Sequence, residues 1–126
     1  MARQTFTAGQ VLTAAQMTQV QANSGWNLDT TTQTGTTYTL ALTDVGRYVT
    51  LSNAASITLT VPANIFSAGD TVNVVQLGAG QVTIAAGASM TVNAESSKLK
   101  LRAQYAVATI LFLSATTAVA LGNLTA

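Results

Sequence analysis

Few residues in this chain can do chemistry. Its carboxylates are Asp29, Asp44, Asp70 and Glu95, set against five Lys and Arg, and there is neither histidine nor cysteine. Without cysteine there are no disulfides, no thiol chemistry and no Cys-based metal sites. Without histidine the commonest general base and the commonest transition-metal ligand are missing. Each carboxylate falls in a turn or connector between patterned runs, where Asp and Glu serve turn geometry and solvation. Paired-carboxylate catalysis would need two of them to converge in the fold. Calcium stays open, since Asp and backbone oxygens suit it, although no D-x-D-x-D spacing supports it. The expectation is a protein that is not an enzyme, with no cofactor and no assigned metal site.

Three further features invite a functional reading. Gly78 and Gly80, and then Gly87, precede no helical pattern, so they make neither a P-loop nor a dinucleotide fingerprint, and hairpin turns account for them. Lys98, Lys100 and Arg102 alternate with Leu99, Leu101 and Ala103, a basic stripe on one strand face. It suits an acidic partner, but the favoured account is edge protection, because Lys on an edge strand discourages stacking. Trp26 could stack on a sugar. Beside a docking helix it reads better as a packing or interface anchor.

The elements that must position these residues fall into three parts. Thr13 and Gln16 make an S/T-x-x-Q capping box, Leu12 and Met17 sit at staple spacing, and Ser24-Gly25 supplies a stop. A helix over about 14–24 follows, too short to be stable alone in water, so residues 1–28 form an arm that must dock on something. Its apolar residues, Phe6, Val11, Leu12, Met17, Val20, Trp26 and Leu28, are the candidate attachment contacts. Residues 29–37 are a Thr-rich polar linker, extended and solvated. From residue 38 to 126, period-two alternation recurs in short runs broken by Gly, Asn and Asp, the pattern of eight or nine strands. The expected body is all-β, a compact antiparallel β-sandwich, jelly roll or small barrel.

Composition narrows the partners. The 126 residues suit one domain, and only 7% are charged against about 25% in a typical soluble domain. The net charge of +1 gives no field for nucleic acid. The uncharged stretch from Ala103 to Ala126 is interrupted by Thr109, Ser114, Thr116 and Thr117, so two buried strands suit it better than a membrane span. A neutral, hydroxyl-rich surface repels its own copies weakly and favours self-association.

The segment Phe6-Thr7-Ala8-Gly9-Gln10-Val11-Leu12-Thr13-Ala14-Ala15-Gln16-Met17 resembles the start of small tail and virion proteins of phages infecting actinobacteria. Tyr38–Gly46, Val74–Ile84 and Leu99–Tyr105 are similar to a β-module of phage tail-fibre and minor virion proteins. The resemblance implies an oligomer, most often a trimer, fixed to the particle through its N-terminal segment. For a module of this size it implies a capsid decoration (minor capsid) protein that cements the major capsid protein on the virion surface. The alternative it leaves is a tail module that binds a host-surface receptor or glycan, with Tyr48, Tyr105 and Trp26 as the aromatics available.

Overall fold

The computed structural model describes residues 30–126, together with Gly9, Thr13 and Ala14. Apart from Ala14, the short helix expected over 14–24 lies outside the described residues.

β-Branched and apolar residues alternating with Thr and Asn favour extended chain, since branched side chains pack well on a pleated surface. The strands are β1 (Thr30–Gln33), β2 (Thr37–Thr39), β3 (Tyr48–Leu51), β4 (Ile57–Val61), β5 (Thr71–Gln76), β6 (Val82–Ala86), β7 (Thr91–Ala94), β8 (Lys100–Leu101), β9 (Val107–Phe112), β10 (Thr117–Gly122) and β11 (Leu124–Thr125). They form two sheets. Sheet A has the order β1-β3-β5-β9-β10-β7, and sheet B the order β11-β8-β6-β4-β2.

The chain switches sheets at every step from β1 to β6. β1, β3 and β5 are parallel neighbours in sheet A, and β2, β4 and β6 are parallel neighbours in sheet B. Each successive pair of strands is therefore one rung of a solenoid. Tyr48 pairs with Asn73 and Ile57 with Val82, the same offset in both sheets. That offset falls within the ~20–50-residue period of solenoid repeats. The all-β expectation holds, but the body is solenoid-like, not an antiparallel sandwich, jelly roll or barrel. Alternation has the same period in parallel and antiparallel strands, and the turns taken for hairpins are arcs that carry the chain from one sheet to the other. Thr30–Gln33, expected within the linker, pairs onto β3 as the first strand of the body.

The arcs at 34–36, 52–56 and 77–81 lie on one another through backbone hydrogen bonds. Ser52 N–H donates to Gln33 O (2.9 Å), Leu77 N–H to Leu51 O (2.8 Å) and Gly80 N–H to Asn53 O (2.8 Å). Asn53 reaches both ways, donating Nδ2 to Thr34 O at 2.7 Å and accepting from Ala55 N–H at 2.8 Å. This stacking requires glycine. A Cβ on Gly80 would lie 1.9 Å from Ala55 O, and one on Gly78 2.5 Å from Asn53 N and O.

Antiparallel strands close the far end. β9 runs against β5 and β10 against β9, while β8 runs against β6 and β11 against β8. The segment 102–106 lies over the third arc, with Tyr105 N–H donating to Gln76 O and Gln104 Nε2 to Leu77 O. Inward residues of both sheets fill the space between them, among them Val49, Leu51, Ile57, Leu59, Val61, Val72, Val74, Ile84, Leu101, Ile110 and Phe112. Each such side chain contributes roughly 1.5–3 kcal/mol on burial. Phe66, from the loop between β4 and β5, stacks on Phe112 with ring centroids 4.2 Å apart.

Candidate functional site

Among the described residues two polar ones, Asp44 and Gln76, are fully buried, and both hold the solenoid together. Asp44, in the short 3-10 turn Leu42–Asp44, accepts hydrogen bonds from Thr31 Oγ1 (3.1 Å), Tyr38 Oη (2.7 Å) and the Ala41 N–H (2.8 Å). The carboxylate thus ties β1, β2 and the next turn into a first rung. Burial, and then the hydrogen bond and charge of Asp44, push the Tyr38 phenol above its ordinary value. Asp44 was expected at a solvated turn; in the structure its side chain is enclosed. Gln76 spans the third arc, accepting from Val82 N–H at 3.1 Å and donating to Gly78 O at 3.3 Å. Neither residue opens onto a cleft, so both read as braces.

The two sheets present unlike outer faces. On sheet B, register aligns Thr37, Thr58, Thr83, Lys100 and Thr125 in one row and Thr39, Thr60 and Ala85 in the next. That face is a threonine ladder with one cation, Lys100, between Thr83 and Thr125. On sheet A, Thr32, Thr50, Val75 and Val107 form one row, and Thr30, Tyr48, Asn73, Thr109 and Leu121 the next. Thr71, Leu111, Val119 and Asn93 make a third. No strand residue of sheet A is charged. Polar groups on this face bond to one another, Thr109 Oγ1 to Asn73 Oδ1 at 2.8 Å and Thr50 Oγ1 to Thr32 Oγ1 at 3.3 Å.

At the closed end, Arg102, Ala103, Gln104, Tyr105, Ala106 and Asn123 line a shallow depression of about 280 Å³. Tyr105 is 70% exposed and held at φ +70°. A bulky residue in the left-handed region is a genuine outlier, because its Cβ crowds the backbone. Scanned against protein-family models and against curated proteins, the chain matches none.

The residues singled out from sequence are distributed as follows. Phe6, Val11, Leu12, Met17, Val20, Trp26 and Leu28 all lie outside the described residues. Lys98 is half-buried, while Lys100 and Arg102 are exposed. The edge-protection account of that stripe does not survive, because β8 sits between β6 and β11 and is not an edge strand. Only Lys100 lies in β8, and Lys98 and Arg102 lie outside the strands. Among the described residues no three metal-ligating side chains cluster, and no helix is long and apolar enough to cross a membrane. Sequence reasoning missed the apolar face of sheet A. The signal was available, since Val75, Val107, Leu111, Val119 and Leu121 all hold outward positions in strands whose inward positions, Gln76 apart, are apolar as well.

Proposed function

We propose that this chain is a structural protein of a phage particle, a decoration protein that self-associates and binds the major capsid protein to stabilise the shell. The observation that carries this reading is the contrast between the faces of one rigid solenoid. One face is uncharged and rich in exposed apolar residues, suited to its own copies, and the other is a hydroxyl ladder with Lys100, suited to a larger polar partner. The sequence resemblance of the opening segment and of the β-body to small virion proteins supports the particle. The proposed attachment arm, residues 1–28, precedes β1, the strand at the edge of sheet A where the parallel rungs begin. Arms joined in one oligomer would gain affinity through effective concentration without each binding tightly.

A second reading, a tail module that recognises a host-surface glycan, is favoured by one observation. Tyr105 is an exposed aromatic flanked by Arg102, Gln104 and Asn123, side chains that can bond to sugar hydroxyls. The deciding measurement is the number of copies per particle, by quantitative mass spectrometry against the major capsid protein. A number of the same order as the capsid subunits supports decoration. A small multiple of three moves the protein to the tail, and absence from purified particles overturns both readings.

A further inference from the structure

We propose that the outer face of sheet A, continued past the strand ends by Leu77 and Tyr105, is the surface through which copies of this chain associate. The proposal deepens the self-association in the reading above, and it can be tested on the isolated protein, away from any particle.

Exposed apolar side chains are concentrated on this surface. Of the seven large hydrophobic residues exposed among those described, Leu77, Tyr105, Val107, Leu113 and Leu121 lie here. Half-buried Val75, Leu111 and Val119 fill the gaps between them. A contiguous exposed patch of this kind marks an interaction site, whereas scattered apolar residues do not. The face is also wide enough. Six strands ~4.8 Å apart, from four to six residues long, at ~3.3 Å per residue span roughly 29 Å by about 13–20 Å. That is of the order of the ~800 Å² per partner in stable interfaces, once side-chain relief is added to the flat area.

Charge identifies the occupant. A foreign acidic or basic surface docked here would leave its charges buried without partners, which is strongly unfavourable. A second copy brings the same charge-free face, so no ion is stranded in any rotational arrangement. Desolvation is also cheap, because Thr109 and Asn73, in the middle of the patch, already bond to each other. Two such faces can meet at the ~10 Å spacing of stacked sheets, with Val and Leu interdigitating as they do between sheets A and B.

Tyr105 is the independent observation. Strained backbone persists where its surroundings over-determine it, and such strain clusters at functional positions. Here the Tyr105 N–H bond to Gln76 O and the Gln104 bond to Leu77 O fix the loop. They hold an aromatic ring in the open, where glycine or asparagine would fit without strain. A rigid exposed Tyr beside Arg102, at the rim of an apolar patch, has the composition of an interface hot spot.

The test is sedimentation of the full-length protein across a concentration series. Wild type is expected to associate reversibly. Val107→Lys combined with Leu121→Lys should sediment as a monomer with an unchanged far-ultraviolet circular dichroism spectrum. Tyr105→Gly should weaken association at least about tenfold, the hot-spot scale, while its monomer melts no lower than wild type because glycine relieves the strained φ. Thr39→Lys, on the opposite face in a row without other charges, and Trp26→Ser with Leu28→Ser, in the arm, should both keep the wild-type mass. Monomeric wild type at high concentration overturns the proposal, as does association lost only in the arm or sheet B variants. If the double-lysine variant misfolds, Tyr105→Gly decides alone, and an unchanged association constant there overturns the proposal.

Discussion

Replacing Asp44 by alanine removes an acceptor shared by three donors, the Thr31 hydroxyl, the Tyr38 phenol and the Ala41 N–H. A hydrogen bond to a charged group is worth about 1.5–3 kcal/mol, but three bonds on one carboxylate act as a unit and do not sum. Thr31 and Tyr38 are half-buried, so water recovers part of their loss, whereas Asp44 itself is completely enclosed. The expected cost is about 3 kcal/mol, against a total of about 5–15 kcal/mol for a domain. At a urea m-value of about 2 kcal/mol/M this moves the unfolding midpoint down by roughly 1.5 M with the slope unchanged. Asp44→Asn should cost only about 1 kcal/mol, because its carbonyl can still serve Tyr38 and Ala41 while the Thr31 hydroxyl rotates to accept. Tyr38→Phe combined with Asp44→Ala should cost less than the two separately, since they share one bond. Urea denaturation followed by circular dichroism measures all four proteins. An Asp44→Ala midpoint within error of wild type would falsify the view that the carboxylate braces the first rung.

Other perturbations follow from the same geometry. The Tyr38 phenol is held above its ordinary value near 10, so the folded state keeps a proton that the unfolded state loses. Its contribution is intact below pH 10 and falls as pH rises beyond it. Tyr38→Phe should flatten that alkaline fall in stability, and denaturation at a series of alkaline pH values reads the difference. Gly80→Ala drives a methyl into Ala55 O and breaks the Gly80–Asn53 bond, with an expected cost of about 3 kcal/mol or failure to fold. At Gly46, where nothing lies within 4 Å but φ is +73°, alanine should cost only about 1 kcal/mol. Phe112→Ala empties the centre of the core and unstacks Phe66, costing about 3–5 kcal/mol. The double variant with Phe66→Ala should fall short of additivity in the same denaturation assay.

Strands were the legible part of the fold. Ile57, Leu59 and Val61 alternate with Thr58 and Thr60, and the structure buries the first set and turns the second outward. Topology was not legible from such runs, because alternation says which face is buried but not which strand lies alongside. The informative residues were Gly78 and Gly80. In a hairpin they would supply unusual backbone angles, but neither has a positive φ here. What they supply is closeness to Asn53 and Ala55 one rung earlier, a packing demand with no local signature. Asp44 was misread for a related reason: an Asp before Gly46 is an ordinary turn residue until Thr31 and Tyr38 converge on it from other strands. The basic stripe, likewise, could not be judged without knowing that β11 covers β8.

The solenoid also accounts for a composition that invites a simpler explanation. Equivalent positions in successive rungs lie ~4.8 Å apart, and two like charges at that distance repel by about 1 kcal/mol in water and about 3.5 kcal/mol at an effective dielectric of 20. A charge repeated along the stack is therefore penalised at each step, whereas Thr on Thr is neutral or slightly favourable. The described charges accordingly avoid the parallel ladders: Asp44, Arg47, Asp70, Glu95, Lys98 and Arg102 lie outside the strands, and Lys100 lies in an antiparallel closing strand. Low charge is thus a consequence of stacking and does not by itself argue for self-association. Stacking does not, however, ask for Val107, Leu111, Val119 and Leu121 on the outside. Threonine would serve those ladder positions as well as it serves Thr58 and Thr83 on the opposite face. The difference between the faces is what the fold leaves unexplained, and burial of sheet A against another copy explains it.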